Sequence, residues 1–142
     1  MEKAQAIAIA EDMLQRVSTL VLATIGENGF PSARTMRKNA MNKSLETIYF
    51  TTQTGSRKTK ELAKNNKVSV HYYESGEKGH TCVFLEGEAQ VTRDKSVREK
   101  LWTERSLRVY PEGVDDPRYT VIIVKPQKLR LAMGKDSFEF SL

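Results

Sequence analysis

Cysteine, histidine and long apolar runs are scarce in this chain of 142 residues, and each shortage excludes a class of protein. The single cysteine, Cys82, cannot form a disulfide within the chain, which favours a reducing compartment and predicts a cytoplasmic protein. No apolar stretch approaches the length that crosses a bilayer, and the first residues lack the basic start and apolar run of a signal peptide. Two distant histidines, His71 and His80, and one cysteine do not supply the four spaced ligands of a zinc site.

Positive charge is concentrated in two short segments, while the formal net charge of the whole chain is only +5 at pH 7. Residues 34–43 contain four cations and no acid. Residues 57–67 contain five cations and one acid, so each segment carries an excess of four positive charges. If both segments belong to one sheet, we expect them to converge on one anion.

The stretch 51–62 has the pattern of a phosphate-binding turn. It follows the apolar, β-prone run 47–50, so that a strand ends in hydroxyls and a glycine and a helical pattern begins with two cations. Unpaired backbone N–H groups at a helix start favour an anion. Ser56 suits the N-cap, and Arg57 and Lys58 are able to bind phosphate oxygens. The same pattern is also typical of a surface loop with an ordinary cap that precedes a solvated basic helix.

Apolar periodicity predicts three helices and several short strands. The helices are predicted at about 2–17, 56–66 and 95–108. The strands are predicted at 19–25, 30–36, 47–51, 67–73, 81–92, 119–125, 128–131 and 137–142. Asn28-Gly29 predicts a hairpin turn, Gly87 predicts a bend or bulge, and Asp94 is the predicted N-cap of the last helix.

Strands and helices do not alternate regularly, so a parallel, doubly wound sheet is disfavoured. The pattern predicts an α+β, mostly β fold, an antiparallel barrel with flanking helices that forms a single domain over 1–142. The apolar strand 119–124 would need cover on its faces, which favours a dimer. No glycine-rich dinucleotide fingerprint or Walker-type loop is present.

Short motifs occur in a defined order between about Leu20 and Leu131. They are Leu22-Ala23-Thr24, Gly29-Phe30-Pro31, Arg34-Thr35-Met36, Thr51-Thr52, Gly55-Ser56-Arg57-Lys58, Leu101-Trp102, Tyr110-Pro111-Glu112-Gly113 and Asp116-Pro117. In this order the chain resembles the pyridoxamine 5'-phosphate oxidase-like FMN-binding split barrels, and most of all their short, general-stress-protein-type branch. The resemblance implies a six-stranded antiparallel split barrel with flanking helices, which forms a homodimer and binds FMN near the interface.

The resemblance also implies which residues surround the FMN. Those expected along the flavin are Arg34, Thr35 and Met36. Those expected at the ribityl chain and the phosphate are Thr51, Thr52, Ser56, Arg57 and Lys58. Trp102 either packs near this site or anchors its helix in the core.

Three functions follow from this pattern. The favoured one is an FMN-dependent oxidoreductase that acts on an unidentified small molecule; no catalytic side chain is predicted, because the flavin itself performs hydride transfer. A second is a non-catalytic flavin-binding stress protein. A third is a basic barrel that binds nucleic acid, which is disfavoured because neither basic segment contains an aromatic residue. Oxidation of vitamin B6 is not expected. True pyridoxamine phosphate oxidases close over their substrate with a C-terminal Trp-Arg…His-Asp-Arg pattern, and this chain instead reads Met133-Gly134-Lys135-Asp136 in that region.

Overall fold

The computed structural model describes all 142 residues and contains three α-helices and seven β-strands. The helices are α1 (Lys3–Arg16), α2 (Arg57–Lys64) and α3 (Lys95–Leu101), and a short 3₁₀ helix spans Glu104–Arg108. The strands are β1 (Thr19–Ile25), β2 (Pro31–Arg37), β3 (Ile48–Gln53), β4 (Lys67–Gly76), β5 (Gly79–Thr92), β6 (Tyr119–Met133) and β7 (Asp136–Ser141).

All strand pairs are antiparallel, and the strands follow the order β2-β1-β4-β5-β6-β3. These are the six strands of the expected split barrel, and β2 and β3 are the two ends of the path. The C-terminal strand β7 is a seventh strand, and it pairs with β6 beyond the part of β6 that pairs with β3. The predicted α+β, mostly β antiparallel fold is confirmed.

The apolar residues form one large core and one small cluster. Inward-facing residues of β1, β3, β4, β5 and β6 pack with the apolar face of α1, which includes Met13 and Leu14. On the other face of β3 and β6, a second cluster contains Leu101, Tyr110, Tyr119 and Val121. The strand 119–124 is therefore covered on both faces within the chain, so its apolar character is not a reason for a dimer.

Long strand β6 is continuous, although two strands were predicted on either side of Pro126. Pro126 lies opposite Gly87, where the register of β5 and β6 shifts. A side chain at Gly87 would collide with the carbonyl oxygen of Lys125 and lie 2.9 Å from its carbonyl carbon. The predicted irregularity at Gly87 is confirmed, and it lets the sheet accommodate a proline that has no N–H to donate.

The single helix predicted over 95–108 is wrong, because the chain forms two short helices there. Helix α3 ends at Leu101, and the 3₁₀ helix begins after Thr103. The hydroxyl of Ser106 accepts a hydrogen bond from the Thr103 N–H (3.1 Å), which starts a new helical turn in place of extending the first. None of the helices is both long and apolar enough to cross a membrane.

Candidate functional site

A polar network around the buried carboxylate of Glu61 joins β1, β2 and α2. We call it the Arg34–Glu61 network, and it consists of Thr24, Arg34, Glu61 and Arg57. Glu61 Oε1 accepts a hydrogen bond from Thr24 Oγ1 (2.8 Å) and one from Arg34 Nη2 (3.0 Å). Glu61 Oε2 lies 3.5 Å from Arg57 Nε. One carboxylate therefore connects two strands with the helix that follows β3.

Arg34 lies on the inward face of β2, and its guanidinium is largely engaged by the chain. Nη1 donates to Thr24 Oγ1 (2.8 Å) and to the carbonyl oxygens of Ser32 (3.0 Å) and Leu22 (3.3 Å). Nη2 donates to Ser32 Oγ (3.1 Å) as well as to Glu61. Because only Nε lacks an acceptor in the chain, Arg34 offers a nearby anion its fixed positive charge and one N–H group.

Glu61 is only 2 % exposed, which is unusual for a carboxylate. The hydrogen bond from Thr24 lowers the pKa of Glu61, and so do the hydrogen bond from Arg34 and the positive charges of Arg34 and Arg57. Burial acts in the opposite direction but does not outweigh them. The side chain is therefore a buried anion at neutral pH. Its charge offsets that of one of the cations around it.

Lys58 lies on the first turn of α2 and is half-buried, with no acidic group or hydrogen-bond acceptor in contact with its ammonium. Burial, and to a smaller extent the positive charge of Arg34, lower the pKa of Lys58. A half-buried cation is normally paired with an acid. Lys58 thus adds an unbalanced positive charge next to Arg34.

The residues before α2 place hydroxyl and N–H groups beside this charge. Ser56 is the N-cap residue, as predicted, but its side chain makes no capping hydrogen bond. Its Oγ lies 3.2 Å from Thr52 Oγ1, and Thr52 itself is buried. Since no side chain caps α2, the N–H groups of its first turn are available to an anion.

Arg57 extends into solvent. Its side chain is 81 % exposed, and its one polar contact within the chain is the carboxylate of Glu61. With Arg34 and Lys58 it makes three cations around one acid, an excess of two positive charges. That excess matches the charge of a phosphate monoester, about −1.5 to −2 at pH 7.

Thr35 and Met36 point to opposite faces of β2, as alternating strand residues must. Met36 packs against the large core. Thr35 is exposed on the outer face, in a cleft that His71 and Tyr73 of β4 also line. His71 Nδ1 donates to the Val83 carbonyl oxygen (2.9 Å), which leaves its Nε2 directed away from this bond.

Trp102 packs against the second apolar cluster, and Thr51 borders it through Tyr110, on the face of β3 opposite Thr52. Burial raises the pKa of Tyr110, and a hydrogen bond with the Thr51 side chain opposes this shift. The Trp102 ring lies 5.4 Å from the Tyr119 ring, centroid to centroid. The structure thus brings Arg34, Thr52, Ser56, Arg57 and Lys58 together, while Thr35, Thr51 and Trp102 occupy other faces.

Sequence reasoning missed Glu61 and Thr24. Glu61 was visible as the only acid in the basic segment 57–67, one helical turn after Arg57. Thr24 belongs to the motif Leu22-Ala23-Thr24, but nothing in the sequence indicated its contact with an acid, because a threonine in a strand is ordinary. No group of histidine, cysteine, aspartate and glutamate side chains is arranged to hold a metal ion.

Comparisons with known proteins agree with this architecture. The family model described as "Pyridoxamine 5'-phosphate oxidase like" matches residues 5–133. General stress protein 26 of Bacillus subtilis is 26 % identical over 132 residues, which cover 92 % of this chain and 91 % of that protein.

The fold is also found in solved structures. A Clostridium acetobutylicum protein related to general stress protein 26 superposes with a TM-score of 0.86 at 23 % identity, over 99 % of this chain and 97 % of that chain. A heme-binding protein from Mycobacterium smegmatis superposes with a TM-score of 0.69 at 18 % identity, over 99 % of this chain and 59 % of that chain.

Proposed function

Because the chain belongs to the pyridoxamine 5'-phosphate oxidase-like family, we propose that it is a single FMN-binding domain that acts as a flavin-dependent oxidoreductase on a small molecule. The observation that carries the proposal is the unpaired, half-buried ammonium of Lys58 beside the fixed guanidinium of Arg34. An apolar ligand or a neutral sugar would gain nothing from this charge. A phosphate would balance it and would accept the free N–H groups of α2.

The residues at the start of α2 would hold the phosphate. Lys58 supplies a point charge, Arg57 supplies a mobile guanidinium and Arg34 supplies a fixed one. The hydroxyls of Thr52 and Ser56 are donors beside them. In this proposal Thr35, Met36, Thr51 and Trp102 are contacts of the remainder of the cofactor. When bound, FMN supplies hydride and electron transfer, and the protein contributes position and polarity.

We also propose a homodimer with the FMN near its interface. On the outer face of β1, β4 and β5, the half-buried side chains of Val21, His71 and Phe84 are register neighbours. His71 stacks on Phe84 with 4.4 Å between ring centroids, and Tyr73 next to them is 55 % exposed. Such a face is suited to a second copy. Light scattering in the presence of FMN should give the mass of two chains, and a monomer at micromolar concentration would count against the dimer.

Pyridoxamine 5'-phosphate is not the substrate that we propose. The C-terminal residues 136–141 pair along their full length with β6, after a turn at Gly134 with φ of 59°. They are thus part of the sheet and are not available as a flap over a substrate. Peroxide production from pyridoxamine 5'-phosphate should stay at the background level of enzyme-free FMN, and robust turnover would contradict this proposal.

Two other functions make different predictions. A non-catalytic flavin-binding protein would hold FMN but show no steady, substrate-dependent reoxidation. The Mycobacterium smegmatis neighbour is a heme-binding protein. If this chain bound heme, it would show a Soret band in place of flavin absorption.

The test is the absorption spectrum of freshly purified protein, with mass identification of any molecule released by heating. We expect flavin bands and the mass of FMN, which also separates FMN from FAD and from a deazaflavin. Apoprotein should then be titrated with FMN and with riboflavin, which lacks the phosphate. Failure to bind either flavin would refute the proposed function.

A further inference from the structure

We infer that Glu61 is a positioning residue of the phosphate site, which holds Arg34 and Arg57 in their binding orientations. This inference rests on the proposed binding of FMN. It concerns a residue that would not touch the cofactor and acts through two that would.

The contacts of Glu61 divide between its two oxygens. Oε1 receives Thr24 Oγ1 at 2.8 Å and Arg34 Nη2 at 3.0 Å, and so joins β1 and β2. Oε2 lies 3.5 Å from Arg57 Nε, one helical turn earlier on α2. The carboxylate therefore connects a partly buried arginine with an exposed arginine.

Arg57 depends on this contact more than Arg34 does. Arg34 has acceptors on Leu22, Thr24 and Ser32 in addition to Glu61. Arg57 is 81 % exposed and has no polar partner in the chain other than Glu61. Without Glu61 its long side chain would sample many rotamers, and binding would have to order it.

The charge of Glu61 also makes the cluster of cations tolerable. Arg34 and Lys58 are close enough for the charge of Arg34 to act on the ammonium of Lys58. A buried anion between strand and helix offsets part of this repulsion while leaving an excess of two positive charges for the phosphate. As a negative charge alone, the same carboxylate would repel a phosphate. Its removal should therefore weaken phosphate binding if Glu61 positions the arginines, and strengthen it if the repulsion dominates.

Glu61→Gln separates these roles, because it keeps the size of the side chain and removes the charge. We expect FMN to bind about tenfold more weakly, the cost of ordering one arginine, while riboflavin binding changes by less than about twofold. Flavin fluorescence quenching gives both dissociation constants without any assay of turnover. The matched control is Glu139→Gln, since Glu139 also pairs with a cation, Lys128 at 3.5 Å, but is 53 % exposed and lies on β7, away from the network. It should leave both dissociation constants unchanged.

A double-mutant cycle tests whether Glu61 acts through Arg57. In an Arg57→Ala background, the effect of Glu61→Gln on FMN binding should shrink to about threefold or less.

Tighter FMN binding by Glu61→Gln, unchanged FMN binding, or equal weakening of both flavins would each overturn the inference. If Glu61→Gln does not fold, Thr24→Val decides, because it removes one donor to the carboxylate and keeps every charge. A selective loss of FMN affinity in that variant supports the inference, and equal or absent losses overturn it. Wild-type protein that binds neither flavin refutes the proposed function, and the inference falls with it.

Discussion

Replacement of Lys58 by methionine should stabilise the ligand-free protein and weaken its binding of FMN. Methionine has a similar length and an apolar end, so it suits a half-buried position on the first turn of α2. In the ligand-free protein the ammonium of Lys58 is half-buried beside Arg34 and has no acidic partner. We therefore expect Lys58→Met to raise the free energy of unfolding of the ligand-free protein by about 0.5–2 kcal/mol.

The effect on FMN binding is unfavourable. A charge-assisted hydrogen bond contributes about 1.5–3 kcal/mol, so its loss should weaken FMN binding about tenfold to hundredfold. Ligand binding stabilises a protein by about 1.4 kcal/mol for each tenfold excess over the dissociation constant. Urea denaturation at neutral pH, with and without a fixed excess of FMN, measures both effects.

The pH dependence supplies an internal check. In the folded chain the pKa of Lys58 lies below its ordinary value, while the unfolded chain has the ordinary value of about 10.4. The unfolded state therefore binds more protons between these two pKa values, and the stability of the wild type rises with pH across that window. The advantage of Lys58→Met should be full below the window and disappear above it. A variant that is less stable without ligand at neutral pH, or one that binds FMN normally, would refute the reasoning.

Three further substitutions test separate parts of the structure. Arg57→Ala should weaken FMN binding about tenfold to hundredfold and riboflavin binding much less. Arg57→Lys should restore only part of the loss, because lysine keeps the charge but lacks the paired N–H groups of the guanidinium. Equal losses for both flavins would show that the phosphate lies elsewhere. Gly87→Ala should lower the free energy of unfolding by about 1–3 kcal/mol or more, because the new methyl group would meet the backbone of Lys125, and a urea midpoint equal to that of the wild type would contradict this. Asp116→Asn should destabilise the protein above a pH of about 4, since a hydrogen bond from Arg118 and its charge hold the pKa of Asp116 well below the ordinary value. The loss should shrink as the pH falls through the lowered pKa of the wild-type carboxyl, and a difference that grows on acidification would be the wrong sign.

The sequence by itself determined the features that depend on neighbouring residues. Asn28-Gly29 predicted a tight turn, and Gly29 adopts φ of 82° there while Asn28 Oδ1 accepts from the Phe30 N–H. Asp94 was predicted as an N-cap, and its carboxylate accepts from the Ser96 N–H at 3.1 Å. Ser56 was predicted as the N-cap residue of α2, and it occupies that position. Turns and caps are readable because their chemistry lies within a few residues.

Only the tertiary structure decided which faces the candidate residues occupy. Thr51 and Thr52 are neighbours in the chain, but the alternation of the strand places them on opposite faces of β3, where Thr51 meets Tyr110 and Thr52 meets Ser56. The cover of strand 119–124 came from the residues around Leu101 and Tyr110, which no pattern in the strand itself predicts.

The same holds for the charge of the site. The basic segments were evident from composition, but their convergence depends on Arg34 of β2 meeting α2 through Glu61, 27 residues later in the chain. An acid among five cations is read from sequence as an ordinary surface residue. Helix α2 packs against two strands, and this packing buries Glu61, brings it to Thr24 and leaves Lys58 without an acidic partner. The spacing of side chains along the chain does not encode that packing.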